Sequence, residues 1–257
     1  MDQREKRVYL IQQLINEKKE YRTIPIPDEE EEQKKLLRSL MNIRPPHAVS
    51  QDFLTVQDSY LQQENAKKGI VTIEDMTEMQ KDIFLWCGDI TRIQAGAIVN
   101  AANSTMTGCY QPCHNCIDNC IHTYAGVELR NACDALMQKQ GHEEETGQAK
   151  ITLAYNLPCE YVIHTVGPIV QGRLTKGHQR QLESCYRSCL LLADQYHLES
   201  IAFCCISTGV FCFPDKKAAQ IAIQTVKEYQ EKTKSELKVI FNVYLEKDER
   251  IYEQLLR

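Results

Sequence analysis

No stretch of this chain strings together the roughly 18 apolar residues that a bilayer-spanning helix needs. Its opening, Met1-Asp2-Gln3-Arg4-Glu5-Lys6, carries acids and leads into no apolar h-region, so no secretory leader is expected. Basic residues are scattered, and 30 Lys and Arg stand against 35 Asp and Glu, a net charge of −5. Affinity for duplex nucleic acid comes largely from neutralising phosphates, so DNA or RNA binding is excluded as the main task. A single nucleotide in a pocket is still allowed, because backbone N–H groups can hold phosphates without a basic patch. No cysteine precedes Cys87, yet the whole chain holds 12 and four fall between Cys109 and Cys120. With nothing pointing to export, a cytoplasmic location is expected. Reduced thiols then serve as core filler, metal ligands or nucleophiles.

What is present is ordinary for a globular protein: 257 residues, 43% hydrophobic and 25% charged. The first 70 residues read as an N-terminal helical extension. Apolar residues at Val8, Leu10, Ile11, Leu14 and Ile15 make a helical stripe over Arg7–Lys18. A second helix follows the acidic run from Asp28 and stops near Arg44, before Pro45 and Pro46. A third is expected over Ser50–Ala66. From residue 71 to 257 short apolar strands alternate with helices. Strands are expected at Ile83–Cys87, Ala97–Val99, Ile151–Tyr155, Tyr161–Val166, Ile201–Ile206 and Leu237–Tyr244. Helices are expected at Asp118–Gln138, Arg180–Gln195, Asp215–Glu231 and Asp248–Leu256. This alternation predicts an α/β fold with a mixed, mainly parallel sheet between helix layers, and ligands at the carboxyl ends of its strands.

The motifs gather at those ends. Gly88-Asp89-Ile90-Thr91 follows the first strand and Asn100-Ala101-Ala102-Asn103-Ser104 closes the second. Ser207-Thr208-Gly209-Val210-Phe211 follows the buried strand, and its small residues let backbone N–H groups approach a diphosphate. Between them, Ile117-Asp118-Asn119-Cys120-Ile121-His122 leads into Ala125-Gly126. In order and spacing these segments resemble the macrodomain family, over roughly residues 80 to 245. The resemblance implies a three-layer α/β/α fold and a pocket for ADP-ribose. It implies that Asp89 binds the adenine amino group and Ile90 lines that end. Asn103 is then expected at the distal ribose, Ile117, Asp118 and Asn119 beside it, and Ser207, Thr208, Gly209, Val210 and Phe211 around the phosphates, with Phe211 near the distal ribose. Many family loops carry glycine where this chain has Cys212.

Where hydrolytic macrodomains commonly show a glycine run, this chain has His114-Asn115-Cys116, which resembles the zinc-containing subgroup. Zinc favours thiolate and imidazole ligands, three of them in a catalytic site. His114 and Cys116, two apart in an extended loop, face one side; Cys109 precedes Pro112, which turns the chain back. Cys109, His114 and Cys116 are therefore the expected Zn2+ ligands, and the helix start at Cys116 is expected to favour its thiolate. A closed structural site with Cys113 or Cys120 as fourth ligand is the alternative. His122 and His164 read as packed structural histidines. The resemblance points to a zinc-dependent hydrolase that removes O-linked ADP-ribose from mono-ADP-ribosylated protein, with Asp118 orienting or deprotonating the water. The alternative is a reader that binds ADP-ribose or mono-ADP-ribosylated protein without cleaving it.

Overall fold

The computed structural model describes residues 1–257. Three helices come first. α1 (Gln3–Asn16) opens on a capping box in which the Asp2 carboxylate accepts the Glu5 N–H at 2.8 Å and Glu5 accepts the Asp2 N–H in return. α2 (Glu30–Ile43) sets Glu30, Glu31 and Glu32 in its first turn, at the positive end of the helix dipole, and ends before Pro45. α3 (Gln51–Lys67) is capped by Ser50, whose hydroxyl accepts the Phe53 N–H. Leu10, Ile11 and Leu14 of α1, Leu37 and Leu40 of α2, and Phe53 and Leu61 of α3 close a small core. Val127 is the one buried contribution to it from the rest of the chain.

The remaining chain builds a seven-stranded sheet in the order β1-β2-β7-β6-β3-β5-β4. Its strands are β1 (Thr77–Gln80), β2 (Ile83–Cys87), β3 (Ala97–Ala102), β4 (Ala149–Leu153), β5 (Tyr161–Val166), β6 (Ser200–Phe203) and β7 (Lys238–Val243). The five inner strands run parallel, and β1 and β4 close the two edges antiparallel. Ile98, Val99, Val162, Ile163, Ile201, Ala202, Val239 and Ile240 are fully buried. Such unbroken apolar runs belong to parallel strands covered on both faces. The covering helices are α4 (Ile117–Ala125), α5 (Val127–Gln140), α6 (Lys176–Gln195), α7 (Asp215–Thr233) and α8 (Glu246–Leu256). The connection from β3 through α4 and α5 runs towards the β4 edge, whereas those from β5 through α6 and from β6 through α7 run the opposite way, which sets α4 and α5 on one face and α6 and α7 on the other. β3 and β6 are neighbours, so the switch point lies between them. The crevice beyond their carboxyl ends is where Asn103 and the Ser207–Phe211 loop emerge.

Two elements differ from the sequence reading. The single helix expected over Asp118–Gln138 is two helices, broken at Gly126 with φ of +101°. A side chain there would be strained and would meet the Gln57 amide of α3 at 2.7 Å. β1 has no apolar alternation to announce it, and pairs only with β2 at an exposed edge. Cys133, Cys159, Cys185, Cys189 and Cys204 are buried filler of the main core, and every cysteine is free.

Candidate functional site

At the end of β2, Asp89 shapes its own turn. Oδ1 accepts the Thr91 N–H at 3.0 Å and the Thr91 hydroxyl at 2.7 Å. Oδ2 is left with a distant partner, the Lys68 ammonium at 3.5 Å. The Ile90 N–H has no acceptor within the protein, and its side chain is buried. One carboxylate oxygen and one N–H side by side match the edge of adenine, which offers an amino donor beside a ring-nitrogen acceptor. Lys68, just after α3, lies 2.8 Å above the centre of the Tyr124 ring. Burial lowers its pKa, against the raising effect of Asp89.

Beyond β6 the chain turns sharply. Ser207 and Cys212 both sit in the left-handed region, with φ of +67° and +56°. The Cys212 N–H donates to the Gly209 carbonyl at 3.0 Å, and the Phe213 N–H to that of Ser207 at 3.0 Å. Between these closures the N–H groups of Gly209, Val210 and Phe211 have no protein acceptor. Gly209 faces open space, and Val210 is 74% exposed. Three free donors on a tight turn make an anion cradle. The left-handed backbone at Cys212 also accounts for the glycine common there in related loops. The Ser207 hydroxyl is different: it is buried and faces Gly167, where any side chain would collide with it.

The loop before α4 brings Cys109, His114 and Cys116 together, with their ligand atoms all within 4.8 Å of one another. Cys109 Sγ lies 3.6 Å from His114 Nδ1. Zinc bonds of about 2.3 Å to sulfur and about 2.0–2.1 Å to nitrogen at the tetrahedral angle span an edge of ~3.5–3.6 Å. The donor set and its spacing therefore fit zinc. Cys113 has φ of +52° and turns away, its Sγ 3.2 Å from Ser39 Oγ and 3.5 Å from the Lys35 carbonyl. Cys120 lies 3.6 Å from the Arg38 guanidinium, outside the trio. The expected helix-start effect on Cys116 is outweighed. Burial, with Cys109 and Asp118 adding to it, pushes its thiol up to about 12 despite the Asn119 N–H it accepts.

Asp118 is turned inward. Its Oδ1 accepts from Asn100 Nδ2 at 2.8 Å, and its Oδ2 from Asn103 Nδ2 at 3.4 Å. Burial raises its pKa to about 6, opposed by the Asn100 hydrogen bond and the charge of Arg130. His122 and His164 pack behind it, both kept neutral by burial, His164 with its pKa pushed down to about 3. With Cys133 they form a second cluster of possible ligands. Both His164 nitrogens, however, are taken, Nδ1 by Asn100 at 3.1 Å and Nε2 by Thr152 at 3.0 Å. That cluster has no free imidazole lone pair to offer from His164.

Two expected contact residues have other employment here. Asn103 Oδ1 accepts the Thr105 and Met106 N–H groups, and its Nδ2 also donates to the Gly108 carbonyl at 3.1 Å. The Asn119 side chain is fully buried; its amide donates to the carbonyls of Cys109 and Gln111 at 3.2 and 2.9 Å. Both hold the ligand loop. Sequence reasoning missed Lys68, Tyr124, Arg38 and Arg130, which no motif marks. Asn100 carried a signal, a lone amide within an otherwise apolar strand.

Residues 99–222 match the family described as Macro domain. The chain is 55% identical over its full length, and that of the relative, to a protein-ADP-ribose hydrolase of Treponema medium. It is 46% identical to a protein-ADP-ribose hydrolase of Staphylococcus aureus, covering 96% of this chain and 93% of that one. Among solved structures, a Trypanosoma brucei macrodomain in complex with ADP-ribose superposes with a TM-score of 0.67 at 29% identity, covering 85% of this chain and 95% of that one.

Proposed function

Because this chain belongs to the Macro domain family, we propose that it is a protein-ADP-ribose hydrolase, acting through a zinc ion on O-linked ADP-ribose of mono-ADP-ribosylated protein. The observation that carries this reading is that three features emerge from the carboxyl ends of the parallel strands: an adenine-matching edge after β2, a cradle of free N–H groups after β6, and a trio of soft ligands beside a buried carboxylate after β3. Asp89 and the Ile90 N–H hold adenine. The N–H groups of Gly209, Val210 and Phe211 hold the diphosphate, with Phe211 towards the distal ribose. Cys109, His114 and Cys116 would hold Zn2+, which when bound supplies Lewis acidity to polarise an oxygen at the distal ribose.

Asn100 and Asn103 fix the rotamer of the Asp118 carboxylate by donating to its two oxygens. Held so, the carboxylate can orient a water towards the anomeric carbon and take its proton as the bond to the protein side chain breaks. An ester to Asp or Glu leaves as the protein carboxylate, and a glycoside to Ser leaves as the hydroxyl once its oxygen takes up the proton that Asp118 removed from water. A reader would need the adenine edge and the phosphate cradle, but neither Asp118 nor a metal. We further propose that residues 1–70 and 71–257 form two units, and that the chain works in the cytoplasm, where its free thiols stay reduced.

The test is release of ADP-ribose from a mono-ADP-ribosylated protein, run with freshly purified, chelated and zinc-restored enzyme, alongside metal analysis. Near one zinc per chain is expected, with turnover lost on chelation and regained on zinc addition. Full turnover by metal-free protein refutes the role of zinc. Tight ADP-ribose binding without any release refutes the hydrolase in favour of the reader.

A further inference from the structure

The loop that carries the ligand trio has little to hold it in its own backbone. Its residues 107–116 form no helix or strand, and Gly108 and Cys113 both sit at positive φ. It is held from outside, and chiefly by α2. Arg38 donates from one terminal nitrogen to the His114 carbonyl at 2.7 Å and to Asn119 Oδ1 at 3.0 Å. One turn later Asn42 accepts the Cys113 N–H at 2.9 Å and donates to Thr123 Oγ1 of α4 at 3.0 Å. Residues four apart share a helix face, so this face of α2 lies along the loop. At the loop's start, Arg130 donates to the Thr107 carbonyl at 2.7 Å. The same guanidinium donates to the carbonyls of Met41 and Asn42 at the end of α2, which lack helical partners.

We propose that α2 is a working part of the metal centre, and that Arg38 is a positioning residue that fixes the backbone of His114 relative to Asn119. The proposal rests on the zinc reading above. A ligand loop that is already shaped spares the ion the cost of ordering it, and removal of such supporting hydrogen bonds typically weakens metal affinity about 10–100-fold. Arg38 ties together the two residues that set the loop's geometry. Asn119 holds the carbonyls of Cys109 and Gln111, and Arg38 locks Asn119 to the residue that supplies the imidazole. Arg38 makes no hydrogen bond to Asp89, to Ile90 or to the turn over Gly209–Phe211, so its loss should leave the adenine and phosphate contacts intact.

The full-length protein is to be titrated with zinc against a competing chelator, as wild type, Arg38→Met and Arg38→Lys. Arg38→Met keeps the alkyl stem and removes every donor; zinc affinity should fall about 10–100-fold. Arg38→Lys keeps the charge but not the planar fork, and should fall between the two. At saturating zinc, ADP-ribose affinity by calorimetry should stay within about twofold of wild type in both, which a general loosening of the fold would not allow. Wild-type zinc affinity in Arg38→Met overturns the proposal; so does wild-type affinity in Arg38→Lys if the methionine variant fails to fold. Parallel losses of zinc and ADP-ribose affinity also overturn it. A wild-type protein that binds no zinc overturns the zinc reading and this inference together.

Discussion

Removing the second oxygen of Asp89 should weaken ADP-ribose binding by an amount the structure bounds. Oδ1 is committed to Thr91, so Oδ2 alone is available to an adenine amino group. A hydrogen bond to a charged group contributes about 1.5–3 kcal/mol, or roughly 10–150-fold in Kd. The side chain is 35% exposed and has Lys68 nearby, both of which place the effect at the lower end, about 10–30-fold. Asp89→Asn is the more informative variant. It can keep an oxygen facing Thr91 while presenting an N–H donor to the adenine amino group, itself a donor. Calorimetry should be repeated with an ADP-ribose analogue carrying hydrogen in place of the 6-amino group. Wild type should lose about as much on that ligand change as on the mutation, and Asp89→Asn should lose little further, so the two losses are not additive. Zinc content should be unchanged in the variant. Equal wild-type affinity for ADP-ribose and the deamino analogue would refute the assignment of Asp89 to adenine.

Cys113→Ser should keep stoichiometric zinc and most turnover on dialysis against a mild chelator, since its sulfur faces Ser39 and the Lys35 carbonyl rather than the ligand trio; zinc loss there, with retention in Cys109→Ser, would reverse the ligand assignment. Deleting residues 1–70 should leave a chain that unfolds cooperatively and binds ADP-ribose, because none of the 46 buried residues of the main core comes from the extension. The same truncation should lose zinc, having lost Arg38 and Asn42; an unfolded product, seen by circular dichroism, would instead mean that the extension is needed for the main core.

The sequence by itself determined most of the secondary structure and the chemistry available at the site. Apolar runs such as Ile98-Val99 and Val162-Ile163 are dictated by burial on both faces, and the three motif loops follow their strands directly. Cys109, His114 and Cys116 were legible because ligand type and an i, i+2 spacing are local properties. Gly126 was legible as a glycine but not as a helix break. Beside its positive φ, the Gln57 amide of α3, nearly 70 positions away in the chain, leaves no room there for a side chain. Only the tertiary structure decided which strands meet at the switch point, because strand order is set by crossovers rather than by any local pattern. It also decided that Asn103 and Asn119 spend their amides on the ligand loop, and that Arg38 and Lys68 reach the site from the extension. A single arginine on an amphipathic helix looks like any solvated charge until the surface it packs against is known.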